Sequence, residues 1–227
     1  MKDLKAITFD FGGTLASGSL DKENYKIALI DYFFRLGFSG GKDRLNEARK
    51  AMLDRLTKAQ DSNRELRFED LYQGLLFDLE LHPTQERLDY ISQLYYSFFR
   101  IDFVPGLKEM LTNLSGKYKL AIISNTTSNI SRLVLRKFDI KQYFNCVVLS
   151  RDLGLRKPDP EIFNFTLQNL GVKNFETIHV GDSLEQDIQG AKNVGIKTVW
   201  IKADKDFQNI QTDFLISKVT ELPSILE

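Results

Sequence analysis

Asp10, Ser124 and Asp182 each stand where a short apolar run ends: "KAITFD", "KLAIISN" and "ETIHVGD". Asp10 is followed, after Phe11, by the glycine pair Gly12 and Gly13, Ser124 by Asn125, and Asp182 by Ser183 and, further on, Asp187. Lys157 lies in the polar stretch "LRKPDP". If the fold brings these residues to one place, Asp10 and Asp182 repel unless a cation bridges them, which points to a hard, oxygen-seeking ion such as Mg²⁺, with Asp187 as a further contact. A lysine beside them would neutralise an anion, and the backbone amides of the Gly12–Gly13 turn would suit phosphate oxygens. A carboxylate nucleophile, a divalent cation, a lysine and a hydroxyl are the parts of phosphoryl transfer through an aspartyl-phosphate.

The elements that must position them are legible as short apolar runs at 5–10, 119–125, 145–150, 176–182 and 197–202. Their near-continuous apolar character suits strands buried on both faces. Amphipathic helical patterns lie between them: Ile130, Leu133, Val134 and Phe138 on one face; Ile162, Phe163, Thr166, Leu167 and Leu170 between the Asp159–Pro160 start and the Gly171 stop; and a helix through Leu184, Ile188 and Ala191 to Gly195. This alternation predicts an α/β fold with a parallel sheet covered on both sides, so the strand ends share one carboxyl edge. From Asp21 to Arg100 the reading is four amphipathic helices and no strand, a helical insert with its own core, entered and left through hinges at 16–19 and 101–106. The expected domains are 1–16 with 105–227 as the core and 17–104 as the insert.

Composition narrows the function. The 227 residues balance 31 basic against 31 acidic side chains, so no global field favours nucleic acid or an anionic membrane. Cys146 is the single cysteine and sits in an apolar run, where a structural role outweighs reactivity. No apolar stretch approaches the roughly 20 residues of a membrane span, and no signal-like start is seen, so the expectation is a cytoplasmic protein, monomeric or homodimeric, acting on a small molecule.

Taken in order, "FDFGGTL", "LAIISN", "LRKPDPEIF" and "VGDSLEQD" resemble the four motifs of the haloacid dehalogenase superfamily. The insert after the first strand resembles the helical cap of its phosphoglycolate-phosphatase-like branch. The resemblance implies a Rossmann-like parallel sheet core with an inserted all-helical cap, and Mg²⁺-dependent hydrolysis of a small phosphorylated metabolite. It makes Asp10 the nucleophile, assigns the metal to Asp10, the Gly12 carbonyl and Asp182 with Asp187 behind them, and gives the phosphoryl group to Ser124 and Lys157, with Asn125 as a further contact.

The departure is Gly12, where phosphatases of the family usually carry a second aspartate that protonates the leaving group and then activates water. A positioned acid or base is worth about 10²–10⁴-fold in rate. Three readings follow: a phosphatase that lacks that acid, or borrows one from the cap or from solvent, and favours aryl or acyl phosphates; a dehalogenase or a phosphonate hydrolase, the latter needing a cap lysine such as Lys26, Lys42, Lys50 or Lys58; or a weakly catalytic regulator that binds a phosphorylated ligand. Retention of both acids in "GDSLEQD" weighs against dehalogenation. Other polar residues read structurally: Thr14 as a turn buttress, His179 as a satisfied strand histidine, His82 as a loop residue, and Arg55, Arg64 and Arg67 as a solvated face. The aromatic clusters "DYFF", "LYYSFF" and "FQN" read as packing.

Overall fold

A computed structural model describes residues 3–202 and 212–226; "FQN", at 207–209, lies outside them. In chain order the elements are β1 (Ala6–Phe9), β2 (Ala16–Leu20), α1 (Lys22–Arg35), α2 (Lys42–Asp61), α3 (Phe68–Asp78), α4 (Gln85–Ser97), β3 (Phe99–Phe103), α5 (Leu107–Ser115), β4 (Lys119–Ser124), α6 (Ile130–Lys137), β5 (Cys146–Leu149) and α7 (Ser150–Leu153). They are followed by α8 (Pro160–Leu170), β6 (Thr177–Gly181), α9 (Gly190–Asn193), β7 (Lys197–Ile201), β8 (Phe214–Ile216) and α10 (Leu222–Leu226). The chain divides into two compact units, Met1–Ser17 with Ile101–Glu227, and Gly18–Arg100.

The larger unit is built on a six-stranded sheet in the order β5-β4-β1-β6-β7-β8. Every neighbouring pair is parallel, which requires crossovers over the faces and so buries both. One face packs Ile7, Phe9, Leu111, Leu120 and Ile122; another apolar cluster packs Ile123, Ile162, Phe163 and Ala191. The α8 boundaries follow from local chemistry. Asp159 accepts from the Glu161 amide, Pro160 opens the first turn, and Gly171 closes it in a left-handed conformation.

The smaller unit wraps α1 to α4 around Phe33, Leu75, Leu76 and Ile91, all fully buried; each contributes about 1.5–3 kcal/mol by leaving water.

Four features differ from the sequence reading. The stretches expected as hinges are strands β2 and β3, which pair in a two-stranded sheet; β3 alternates half-buried Phe99, Ile101 and Phe103 with exposed Arg100 and Asp102, a period of two too short to outweigh its polar residues. β8 is three residues long, below the length that an apolar run needs to register. The helix expected from Leu184 to Gly195 is a π-helical turn, Leu184–Gln189, followed by α9. In α6 the buried face is Ile130, Ser131 and Leu135, whereas Leu133 and Phe138 are exposed.

Candidate active site

The register of the sheet brings the strand ends together. Phe9 lies opposite Ile122 of β4 on one side and Val180 of β6 on the other, so Asp10 follows at the level where those strands end in Ser124 and Gly181–Asp182. The chain runs from β1 outward through β4 to β5 and then returns to β6 on the opposite side. That reversal opens a crevice at the carboxyl edge, where open parallel sheets hold their ligands. Asp10 and Ser124 are buried and Asp182 is exposed to solvent.

Lys157 reaches this edge from the loop before α8 and is 1 % exposed. Its ammonium donates to Asp10 Oδ1 at 2.7 Å and to Asp187 Oδ1 at 2.6 Å. Asp187 also accepts from the Ser183 amide at 3.0 Å and lies 3.2 Å from His179 Nε2; His179 Nδ1 is 2.8 Å from Thr8 Oγ1. A buried chain therefore runs Thr8, His179, Asp187, Lys157, Asp10. Gly181 permits it, because a Cβ there would overlap the Asp187 carboxylate. Oxygens of Asp10, Asp182 and Asp187 lie within 4.8 Å of one another.

Burial sets the protonation of these groups. It pushes the Asp10 carboxyl up to about 7 despite the Lys157 charge, and with the Asp187 charge it raises Asp182. Burial also opposes the Lys157 ammonium, but Asp10 and Asp187 outweigh it and hold that pKa above its ordinary value. Burial would raise Asp187, yet Lys157 and His179 keep it well below the usual carboxylate range. His179 is held down by burial, so it is a neutral imidazole at pH 7. Such a site, with clustered acids that disfavour full ionisation, gains from a divalent cation. The donor set, all hard carboxylate oxygen with one acid open to solvent, fits Mg²⁺.

Some expected contacts fall elsewhere. The Asn125 amide donates to the Lys157 carbonyl at 2.9 Å and to Gln186 Oε1 at 3.0 Å, and its oxygen accepts from the Lys157 amide at 2.8 Å. With both side-chain amide hydrogens committed, the Asn125 side chain fixes the lysine loop. The Gly13 amide donates to the Ala16 carbonyl at 2.8 Å, so it closes the turn. Asp187 serves Lys157, His179 and Ser183, and so anchors the cluster. Ser183 caps the π-turn, accepting from the Gln186 amide. Thr14 is buried, with no hydrogen-bond partner for Oγ1 among the described residues. Arg55 and Arg67 pair with Asp78 and Asp70 on exposed surface, His82 lies in a loop, and half-buried Cys146 has its thiol pKa raised by burial. His179, read as structural, is satisfied as expected; its contact with Asp187 is invisible in sequence, because the partner lies a turn beyond the strand.

Gly13 has a φ of 81°, and a Cβ there would overlap Asp182 Oδ2. Gly13→Ala is expected to strain the turn and displace the Asp182 carboxylate, weakening Mg²⁺ binding at least tenfold on the ~1–3 kcal/mol scale of such strain. Metal titration checks it alongside circular dichroism; unchanged affinity would show that Asp182 does not depend on this turn.

A doubly wound parallel sheet thus carries a lysine-clamped acid cluster at its switch point. The chain belongs to the haloacid dehalogenase-like hydrolases, whose family model matches residues 7–201. It is 32 % identical over 230 residues to the glyceraldehyde 3-phosphate phosphatase of Pyrococcus furiosus, covering 100 % of this chain and 93 % of that protein. Among solved structures it resembles a HAD phosphatase from Thermococcus onnurineus (29 % identity, TM-score 0.62, 98 % of each chain). It shares its fold with a 2-haloacid dehalogenase from Pseudomonas syringae pv. Tomato (24 % identity, TM-score 0.75, 98 % of each chain). No helix among the described residues is long and apolar enough to cross a membrane.

Proposed function

We propose that this protein is a Mg²⁺-dependent phosphatase that hydrolyses the phosphate monoester of a small metabolite through an aspartyl-phosphate at Asp10. The observation that carries the proposal is the buried Asp10–Lys157–Asp187 clamp with Asp182 beside it. Asp10, the Gly12 carbonyl and Asp182 would hold Mg²⁺, which when bound supplies positive charge to the phosphoryl oxygens. Asp10 attacks phosphorus with the carboxylate oxygen that Lys157 leaves free. The new Asp10–phosphoryl bond forms as the ester oxygen departs, and water then cleaves the acyl phosphate and restores the carboxylate. Lys157 offsets the charge at Asp10 and at the transferred group, and Ser124 donates its hydroxyl to a phosphoryl oxygen. Asp182 and Asp187, retained in "GDSLEQD", support phosphate over halide as the group handled. The lone cysteine and the absence of any disulfide suit a reducing compartment such as the cytoplasm.

Gly12 supplies no acid, so the leaving group must take its proton from solvent. A Cβ at Gly12 would meet nothing within 4 Å, which leaves room for the missing carboxylate. Gly12→Asp is expected to raise turnover of an alkyl phosphate at least tenfold, toward the ~10²–10⁴-fold of a positioned acid, while changing p-nitrophenyl phosphate cleavage little. Glyceraldehyde 3-phosphate, named for the archaeal relative, is the alkyl ester to try first. Phosphate release is measured with Mg²⁺ and with a chelator. Failure of both forms to cleave either ester with metal present would overturn the phosphatase reading, and chelator-resistant release of halide from a 2-haloacid would replace it.

A further inference from the structure

We propose that the helical unit contains a ligand site of its own, a pocket for an amphipathic anion with an apolar body and a carboxylate head. A cavity of about 250 Å³ opens between α1, α2 and α3, and every residue lining it belongs to the unit Gly18–Arg100. Leu29, Phe33 and Leu75 form its apolar wall. An apolar cavity of about 150 Å³ accommodates benzene, so this one suits a body of about ten heavy atoms.

The polar side of the cavity carries the specificity. Lys22, Lys26 and Arg49 line it, and none of the three takes part in the ion pairs found among the described residues of this unit. The contrast within the unit is informative: Arg35, Arg44, Arg55 and Arg67 pair with Asp31, Glu80, Asp78 and Asp70. Arg49, half-buried, lines the cavity with no ion pair of its own among those found in this unit. Next to it Tyr25 donates to the Tyr72 hydroxyl at 2.7 Å, which leaves the Tyr72 proton available to a further acceptor. A carboxylate accepts from both a guanidinium and a phenol. Three cations, one free hydroxyl proton and an apolar wall select an aliphatic or aromatic carboxylate over a neutral ligand and over a bare inorganic anion.

The test is calorimetric titration of the full chain with octanoate. The expected result is binding with a Kd at or below about 1 mM, weakened at least tenfold by Arg49→Gln and severalfold by Tyr72→Phe. Octanol should bind more weakly and be insensitive to Arg49→Gln, and acetate should not bind. Asp10→Asn should leave octanoate affinity unchanged, and inorganic phosphate should not compete. The proposal is overturned if octanoate fails to bind the native chain, if Arg49→Gln binds it normally, or if phosphate displaces it, which would place the fatty acid at the carboxylate cluster. Should Arg49→Gln lose octanol as well, Tyr72→Phe decides, and unchanged octanoate affinity in that variant overturns it.

Discussion

Asp10→Asn is expected to lower phosphate release by on the order of 10³-fold or more while leaving the fold intact. The substitution is isosteric, so the packing below Asp10 is preserved, and Lys157 keeps its bond to Asp187. What is lost is the nucleophilic oxygen, and removing a nucleophile from a site whose parts act as a unit forfeits most of the rate. Acid quench of the native enzyme during turnover should trap a phosphorylated chain labile to hydroxylamine, and the variant should trap none. A variant that retains even a tenth of native activity would eliminate Asp10 as the attacking group, and with it the aspartyl-phosphate route.

Lys157→Met tests the other half of the clamp and has a second readout in stability. The ammonium is 1 % exposed between two buried carboxylates. Removing it leaves Asp10 and Asp187 facing each other with no cation, and breaking a buried pair in this way costs about 3–5 kcal/mol. The loss should be visible by denaturant unfolding in chelator. Adding Asp187→Asn to Lys157→Met should recover part of it, because a neutral amide no longer needs the ammonium. Activity should fall in both variants, since the charge opposite the transferred phosphoryl group is gone. If Lys157→Met unfolds at the native denaturant concentration, the lysine does not bear the electrostatic load assigned to it.

The sequence by itself determined the class of fold and which polar residues stand at the carboxyl edge of the sheet, because both are written in local patterns. Apolar runs that end in Asp10, Ser124 and Asp182 register as parallel strands with polar tips, and parallel strands must place their tips on one edge. Asp182 was legible for the same reason, as a charged residue at a strand end, whereas Lys157 and Asp187 stood out by their place in the motifs "LRKPDPEIF" and "VGDSLEQD". Tertiary structure decided which of these groups touch. Asn125 follows Ser124 and reads as a site residue, yet its hydrogen bonds go to the lysine loop, a choice made by a segment far along the chain. His179 reads as strand filling, yet it supports Asp187, because the π-turn brings that acid back over the strand. Gly13 reads as an anion-binding amide, yet it closes its own turn so that Asp182 can approach. The strands β2, β3 and β8 escaped notice because short strands are stabilised by partners distant in sequence, and no local periodicity records a partner.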